Sequence, residues 1–219
     1  MDTNSQKEDR QIVPELTLAT RNTHKTREFR ELLGHDFDVI DLSSFPQITM
    51  PAESGHTFTE NAILKAVGTS RCDVRTAQRA VPTFVIADDS GLEVDALEAA
   101  PGVYSARYAG ENATDKDNID KLLSELRTRK VADDKRSARF RCVIALATDG
   151  KLLGTFEGTV EGIVVDPPRG SGGFGYDPIF QPNGFKQTFA EISPEIKNKI
   201  SHRAKAIAAL REALPGFEN

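Results

Sequence analysis

Only two cysteines occur in the chain, Cys72 and Cys142, far apart and outside any metal-ligand spacing. That excludes a disulfide framework and a zinc site, and it fits a reducing cytoplasm. A basic excess is also missing. The 219 residues carry a formal net charge of −5, which argues against sequence-independent nucleic-acid binding. A polyanion could still be held where lysines, arginines and a metal converge locally. No apolar run approaches the length of a membrane span, and the longest, around 143–147, suits a buried strand. The opening MDTNSQKEDRQ has no apolar stretch and so is not a signal peptide. It reads as a flexible leader over 1–11, ahead of one domain over 12–219. Internal repeats and low-complexity tracts are absent. The expectation is a cytoplasmic protein with neither nucleic acid nor membrane as partner.

What is present is a core: 38% of residues are apolar, against 28% charged. Residues 12–19 read as a first strand and 26–33 as a helix, with Phe29, Leu32 and Leu33 at helical spacing. A second strand is expected at 39–42. A helix over 57–67 begins with Thr57 and Glu60 as a capping box. A buried strand over 83–87 ends at Asp88-Asp89-Ser90-Gly91. Thr114 caps a helix running to Arg129, striped by Ile119, Leu122, Leu123 and Leu126. Strand 138–147, the turn Asp149-Gly150 and strand 152–157 form a hairpin, which 159–165 extends. Ser193-Pro194 opens one last helix, closed by Pro215-Gly216. Strands mixed with helices and a hairpin predict an α/β (mixed α+β) fold on a mixed sheet.

Four polar clusters interrupt this pattern. The loop Thr20-Arg21-Asn22-Thr23-His24-Lys25 joins a strand to a helix, where free N–H groups and Lys25 suit phosphate oxygens. It has no glycine and is no Walker A loop; Asn22 is able to take a left-handed conformation instead. An ordinary capped helix start also accounts for it. Asp88-Asp89-Ser90-Gly91 places adjacent carboxylates after a buried strand, an arrangement that needs a cation to offset it. Mg²⁺ takes one or two such carboxylates with waters and phosphates; a surface turn with solvated acids is the alternative, and the apolar Phe84-Val85-Ile86-Ala87 immediately before it weighs against a loosely solvated turn. In Gly170-Ser171-Gly172-Gly173-Phe174-Gly175-Tyr176-Asp177, glycines permit close backbone approach and two aromatics offer faces for a base, although glycine-rich segments are often only flexible loops. Lys197-Asn198-Lys199-Ile200-Ser201-His202-Arg203 lies on the last helix and would identify no enzyme alone.

Taken in order, TRNTHK, TFTENAILKA, ADDSGLEVDAL, PGVYSARYAGE, RSARFRCVIAL, GSGGFGYDPIF and KNKISHRAKA resemble the noncanonical purine NTP pyrophosphatases, also called inosine triphosphatases. The resemblance covers nearly everything after Val13. It implies an elongated mixed sheet with flanking helices, two lobes around a substrate groove, and a homodimer. It implies Mg²⁺-dependent hydrolysis of ITP, dITP and XTP to monophosphate and pyrophosphate. Carried over residue by residue, Thr20, Asn22 and Lys25 would hold the triphosphate, with Arg107 reaching the phosphates. Glu53 and Asp89 would bind Mg²⁺, and Asp89 would also be the general base. Lys65 would neutralise growing charge and Ser90 would touch substrate. Phe174, Gly175, Tyr176 and Asp177 would wall the nucleoside, and Lys197, His202 and Arg203 would complete its pocket. Two departures stand out: Arg21, where many members have glycine, and a longer segment over 67–82. A pyrophosphatase for another modified base and a catalytically silent nucleotide-binding regulator are the rival functions.

Overall fold

The computed structural model describes residues 14–71 and 84–214. The leader, Cys72, most of the 67–82 segment and Pro215-Gly216 lie outside these described residues. In chain order the elements are β1 (Glu15–Leu18), α1 (Thr23–Leu33), β2 (Asp38–Asp41), α2 (Phe58–Ser70), β3 (Phe84–Val94) and α3 (Asp115–Thr128). There follow β4 (Ser137–Thr148), β5 (Lys151–Val164), β6 (Phe180–Pro182), α4 (Pro194–Ile200) and α5 (His202–Ala213).

The six strands form one mixed sheet in the order β2-β1-β3-β4-β5-β6. β2, β1 and β3 are parallel, and β3 to β6 are successively antiparallel. β3 does not stop at Asp88 as its polar residues led us to expect. It pairs with β4 from Val85↔Ala147 to Val94↔Ala138. What stops is β1, whose last register partner is Leu18↔Ile86. From Asp88 until Glu93 bridges to Pro101, β3 therefore has a paired strand on one side only, and the crevice opens along the uncovered side. The second long strand is also continuous: 152–157 and 159–165 merge into β5. Its turn holds Asp149 and Gly150 at φ 48° and 75°, the double left-handed pair that matches hairpin twist.

Alternation along β3 sends side chains to opposite faces. Val85 and Ala87 pack with Phe58, Ala62 and Ala66 of α2. Ile86 packs on the other face with Phe29 and Leu33 of α1 and with Ala206, Ile207 and Leu210 of α5. Beyond the crevice, Leu92, Val94, Phe140, Phe180 and Phe189 join the α3 stripe in a second core. These cores are the two lobes, and β3, β4 and β5 run through both.

Helix starts follow local chemistry. Asn22 caps α1 through Oδ1, accepting from the His24 and Lys25 amides at 3.0 and 3.2 Å. It does so at φ −80°, in extended rather than left-handed backbone. Thr57 caps α2, but the Glu60 carboxylate accepts from the His56 amide rather than from Thr57. Thr114 and Asp117 form a complete capping box. The expected single last helix is two. Ser201 is extended (ψ 159°) and caps α5 by accepting from the Ala204 amide at 3.1 Å, whereas Ser193 makes no side-chain cap. The break takes Ile196 out of the buried stripe, leaving it 42% exposed, and sets His202 and Arg203 in the first turn of α5.

Gly158 of β5 is where α5 meets the sheet. A Cβ there would lie 2.0 Å from the His202 carbonyl oxygen and 2.5 Å from the Ala206 nitrogen. Backbone atoms cannot swing aside. Gly158→Ala is therefore expected to cost about 3 kcal/mol, the upper part of the range for overpacking. Urea unfolding checks this; a change below about 0.5 kcal/mol would show that α5 is not held against β5 here.

Candidate active site

A cavity of about 390 Å³ lies between the lobes, within the range of small-molecule sites. Of the residues singled out in the sequence, all but Arg107 line it. They divide into a phosphate-like half, built on α1, α2 and β3, and an apolar half, built on the glycine-rich loop and α5.

In the first half, Lys65 is 3% exposed and donates to Glu53 Oε1 at 3.0 Å, to Asp89 Oδ1 at 3.0 Å and to the Asp88 carbonyl at 2.7 Å. The last bond satisfies a carbonyl on the uncovered side of β3. Burial acts to lower the Lys65 ammonium, but Asp89, Glu53 and Asp88 outweigh it and keep it cationic. Burial similarly works to raise Glu53, and Lys65 outweighs it, so that Glu53 stays below its ordinary value. Arg107 joins from outside the cavity, donating to Glu53 Oε2 at 3.3 Å.

Asp88 and Asp89 are neighbours with opposite fates. Asp89 faces α2 and its carboxyl is pushed up, because burial exceeds the pull of Lys65 and Lys25. Asp88 faces α5, fully buried. There it meets Lys25 Nζ at 2.7 Å, Arg203 Nη2 at 2.8 Å and the Ser90 hydroxyl at 3.1 Å. Burial would raise it, yet Lys25, Arg203 and Lys65 together hold it far below the carboxylate range. Asp88 thus positions Lys25, Ser90 and Arg203, while Asp89 lines the crevice.

In the apolar half Phe174 is half-buried and Tyr176 is 4% exposed. Tyr176 donates its hydroxyl to the Ser105 carbonyl at 2.9 Å, so it forms floor rather than a second stacking face. Asp177 accepts from the Phe174 amide at 2.9 Å and from Lys197 Nζ at 2.6 Å. Gly173 is at φ 73°, and a Cβ there would fall 1.9 Å from the Asp177 carboxylate, so a glycine is required. His202 stacks on Phe140 with ring centroids 4.8 Å apart. Burial, followed by Arg203 and Lys197, keeps its imidazole well below the ordinary value and therefore neutral. Its buried Nδ1 has no partner among the described residues.

Sequence reasoning missed Glu28, Asn61 and Asp115. Glu28, buried on α1, accepts from Lys197 Nζ at 3.0 Å and from Arg203. Asn61 accepts from the Gly55 amide at 2.8 Å and donates to Asp89 Oδ2 at 3.2 Å, tying the Glu53 loop to β3. Asp115 accepts from the Gly175 amide at 2.6 Å. Only Asn61 left a signal, a polar residue beside Phe58 and Ala62 on the buried face of α2; Asp115 is exposed at the start of α3, and Glu28 reads as a solvated helix residue. Arg21 is accounted for: it donates to the Ile48 carbonyl at 2.6 Å and anchors the 45–50 loop.

Glu53 and Asp89 are the carboxylates of the crevice that could donate to a cation. Among the described residues no three His, Cys, Asp or Glu side chains converge on one point. Two carboxylates at an open crevice fit a hard divalent ion that completes its shell with water and phosphate oxygens, and do not fit a closed structural site.

Fold and crevice together define an α/β protein with a cleft for a polyanion joined to a planar group. The chain belongs to the Ham1 family, whose model matches residues 16–213. It is 46% identical to the dITP/XTP pyrophosphatase of Bacillus subtilis over 204 residues, 93% of this chain and 98% of that one. It is 48% identical to the enzyme of the same name from Desulforamulus reducens, over 91% and 94% of the two chains. The Ham1 protein structure from Staphylococcus aureus matches with TM-score 0.77 and 42% identity, covering 93% of this chain and 99% of that one.

The opposed Asp pair generates a test. A carboxylate whose pKa is depressed on folding adds stability that is complete above its unfolded value, about 3.9, and is lost as pH falls toward the folded value. Asp88→Asn should therefore cost about 3 kcal/mol or more at pH 7 and less at pH 3, because it strands buried cations. Asp89→Asn, removing a carboxyl whose charge is disfavoured by folding, should change stability by no more than about 1 kcal/mol. Urea midpoints across pH 3–8 distinguish the two. Equal losses in both variants would refute the division of labour.

Proposed function

We propose that this protein hydrolyses noncanonical purine nucleoside triphosphates, dITP, XTP and ITP, to the nucleoside monophosphate and pyrophosphate, clearing deaminated purines from the nucleotide pool. The observation that carries the reading is one crevice in which Lys25, Lys65, Glu53 and Asp89 adjoin Phe174 and His202. A triphosphate needs the first set and a purine the second.

Pyrophosphate release requires water to attack the α-phosphorus, with negative charge growing on the departing oxygens. Asp89, its pKa raised by burial, accepts the proton of that water. Lys65 and Lys25 stand where the charge develops, in fixed orientations set by Asp88 and Glu53. Thr20 and Asn22 shape the phosphate loop, Asn22 through its cap and Thr20 by accepting from the Asn22 amide at 3.1 Å. Mg²⁺ held by Glu53 and Asp89 would supply charge neutralisation at the phosphate oxygens and acidify the attacking water.

Base choice rests on His202. Its Nδ1 is buried and unpartnered on a neutral ring, so in the tautomer with Nδ1 protonated it donates to the 6-oxo group of hypoxanthine or xanthine. Adenine offers an amino group there and leaves the donor unpaired, a penalty able to discriminate on the order of 10⁴-fold. The family resemblance supports a homodimer working in the cytoplasm; no described helix is long and apolar enough to cross a membrane. Light scattering should return a mass near twice the 24.0 kDa chain, and a monomer across micromolar concentrations would exclude the dimer.

Pyrophosphate release from ITP, dITP, XTP, GTP and ATP, with Mg²⁺ and with chelator, tests the reaction. kcat/KM for ITP, dITP and XTP is expected to exceed that for ATP by at least a hundredfold, with turnover abolished by chelation. Asp89→Asn should lose at least a thousandfold in kcat while remaining folded. Equal use of ATP and ITP would leave only an unselective triphosphate pyrophosphatase.

A further inference from the structure

The aromatic platform of the crevice is already covered. His24, in the first turn of α1, lies over Phe174 with ring centroids 5.3 Å apart and planes 17° from parallel. The two rings come from opposite lobes. Phe174 is held by its own amide to Asp177 and by the neighbouring Gly175 amide to Asp115. Lys197 Nζ and Arg203 Cζ also lie 5.3 and 5.8 Å from its centroid. The Phe174 side is thus fixed by buried groups. His24 is exposed; its backbone amide donates to the Asn22 cap, and among the described residues its imidazole makes no hydrogen bond. Two rings in stacking contact leave no space for a third between them. A base entering that face must displace the imidazole, which is the partner free to move into solvent.

We propose that His24 is a specificity-determining residue of this crevice, a planar stand-in that occupies the Phe174 face until a purine displaces it. The inference rests on reading the crevice as a purine site. Its consequence is a selection step before any contact with His202. A base must out-stack an imidazole to enter, which favours the large purine surface over small rings, while a bare triphosphate has no ring to place there and is untouched by the gate. The cost follows from population arithmetic: apparent affinity is reduced by the fraction of molecules with the platform open. A stacked ring pair of this type shifts such an equilibrium by a factor of about two to ten. Lys25 is the adjacent residue, so the same helical turn presents a phosphate anchor and a base surrogate, and a nucleoside triphosphate engages both ends of the turn together.

The test uses IMP and inorganic triphosphate as probes on the full chain. In wild type, the His24 ring protons should be shifted by the Phe174 ring current, with His24→Ala supplying the assignment. Saturating IMP should return them toward the positions of a solvated histidine. His24→Ala, at an exposed position, should bind IMP about threefold to tenfold more tightly by calorimetry. Inorganic triphosphate should bind both proteins within twofold. IMP binding equally well or more weakly to His24→Ala overturns the proposal, as does a His24 resonance unmoved by saturating IMP. Failure of IMP to bind either protein defeats the purine-site reading and this proposal together. Binding of equal strength in both defeats only the role of His24.

Discussion

A buried carboxylate surrounded by cations holds the site together. Asp88 lies in the sheet interior and, with Glu28 and Asp177, balances Lys25, Arg203 and Lys197 at the wall of the cavity. Ions so placed stay folded only when every partner is present and oriented. The arrangement connects elements distant in sequence. α1 contributes Lys25 and Glu28, β3 contributes Asp88, the glycine-rich loop contributes Asp177, and α4 and α5 contribute Lys197 and Arg203. Hydrophobic packing brings these elements near one another, and charge fixes their rotation and register.

This constraint explains why two neighbouring aspartates act differently. Strand alternation gives them opposite faces, and each face gives a different dielectric and a different set of cations. Asp88 is saturated by cations and stays ionised in a structural role. Asp89 shares Lys65 with Glu53, is underpaid in positive charge, and keeps a raised proton affinity. Lys25 and Lys65, which both line the crevice, are held by carboxylates that differ in burial, Asp88 for the first and Glu53 with Asp89 for the second.

Much of this was legible in the sequence where local rules act. The α3 cap, stripe and length follow from Thr114, Asp117 and four apolar positions. The Asp149-Gly150 turn follows from backbone preference. The collinear motifs name residues that the fold then brings to one cavity. What was not legible depends on buried charge. A strand through Asp88-Asp89-Ser90 violates the apolar pattern, because its polar side chains are paid for by lysines and an arginine from elsewhere. Glu28 reads as a solvated helix residue since its partners are 169 and 175 positions away. Ser201 reads as helix interior, and only packing of α5 against β5 at Gly158 shows why the chain must turn there.

The uninterrupted length of β3, β4 and β5 has a mechanical consequence. Because 10 consecutive register pairs join β3 to β4 through both lobes, the lobes share a common beam instead of a hinge. Opening the crevice by rotating one lobe would bend or shear that beam and break ladder bonds. Rigid-body closure is therefore stiff, and adjustment to a ligand falls on side chains and on the loop between β5 and β6. Such a molecule meets its ligand with the walls already at their final spacing, and it rejects a misfit by geometry more than by failing to close.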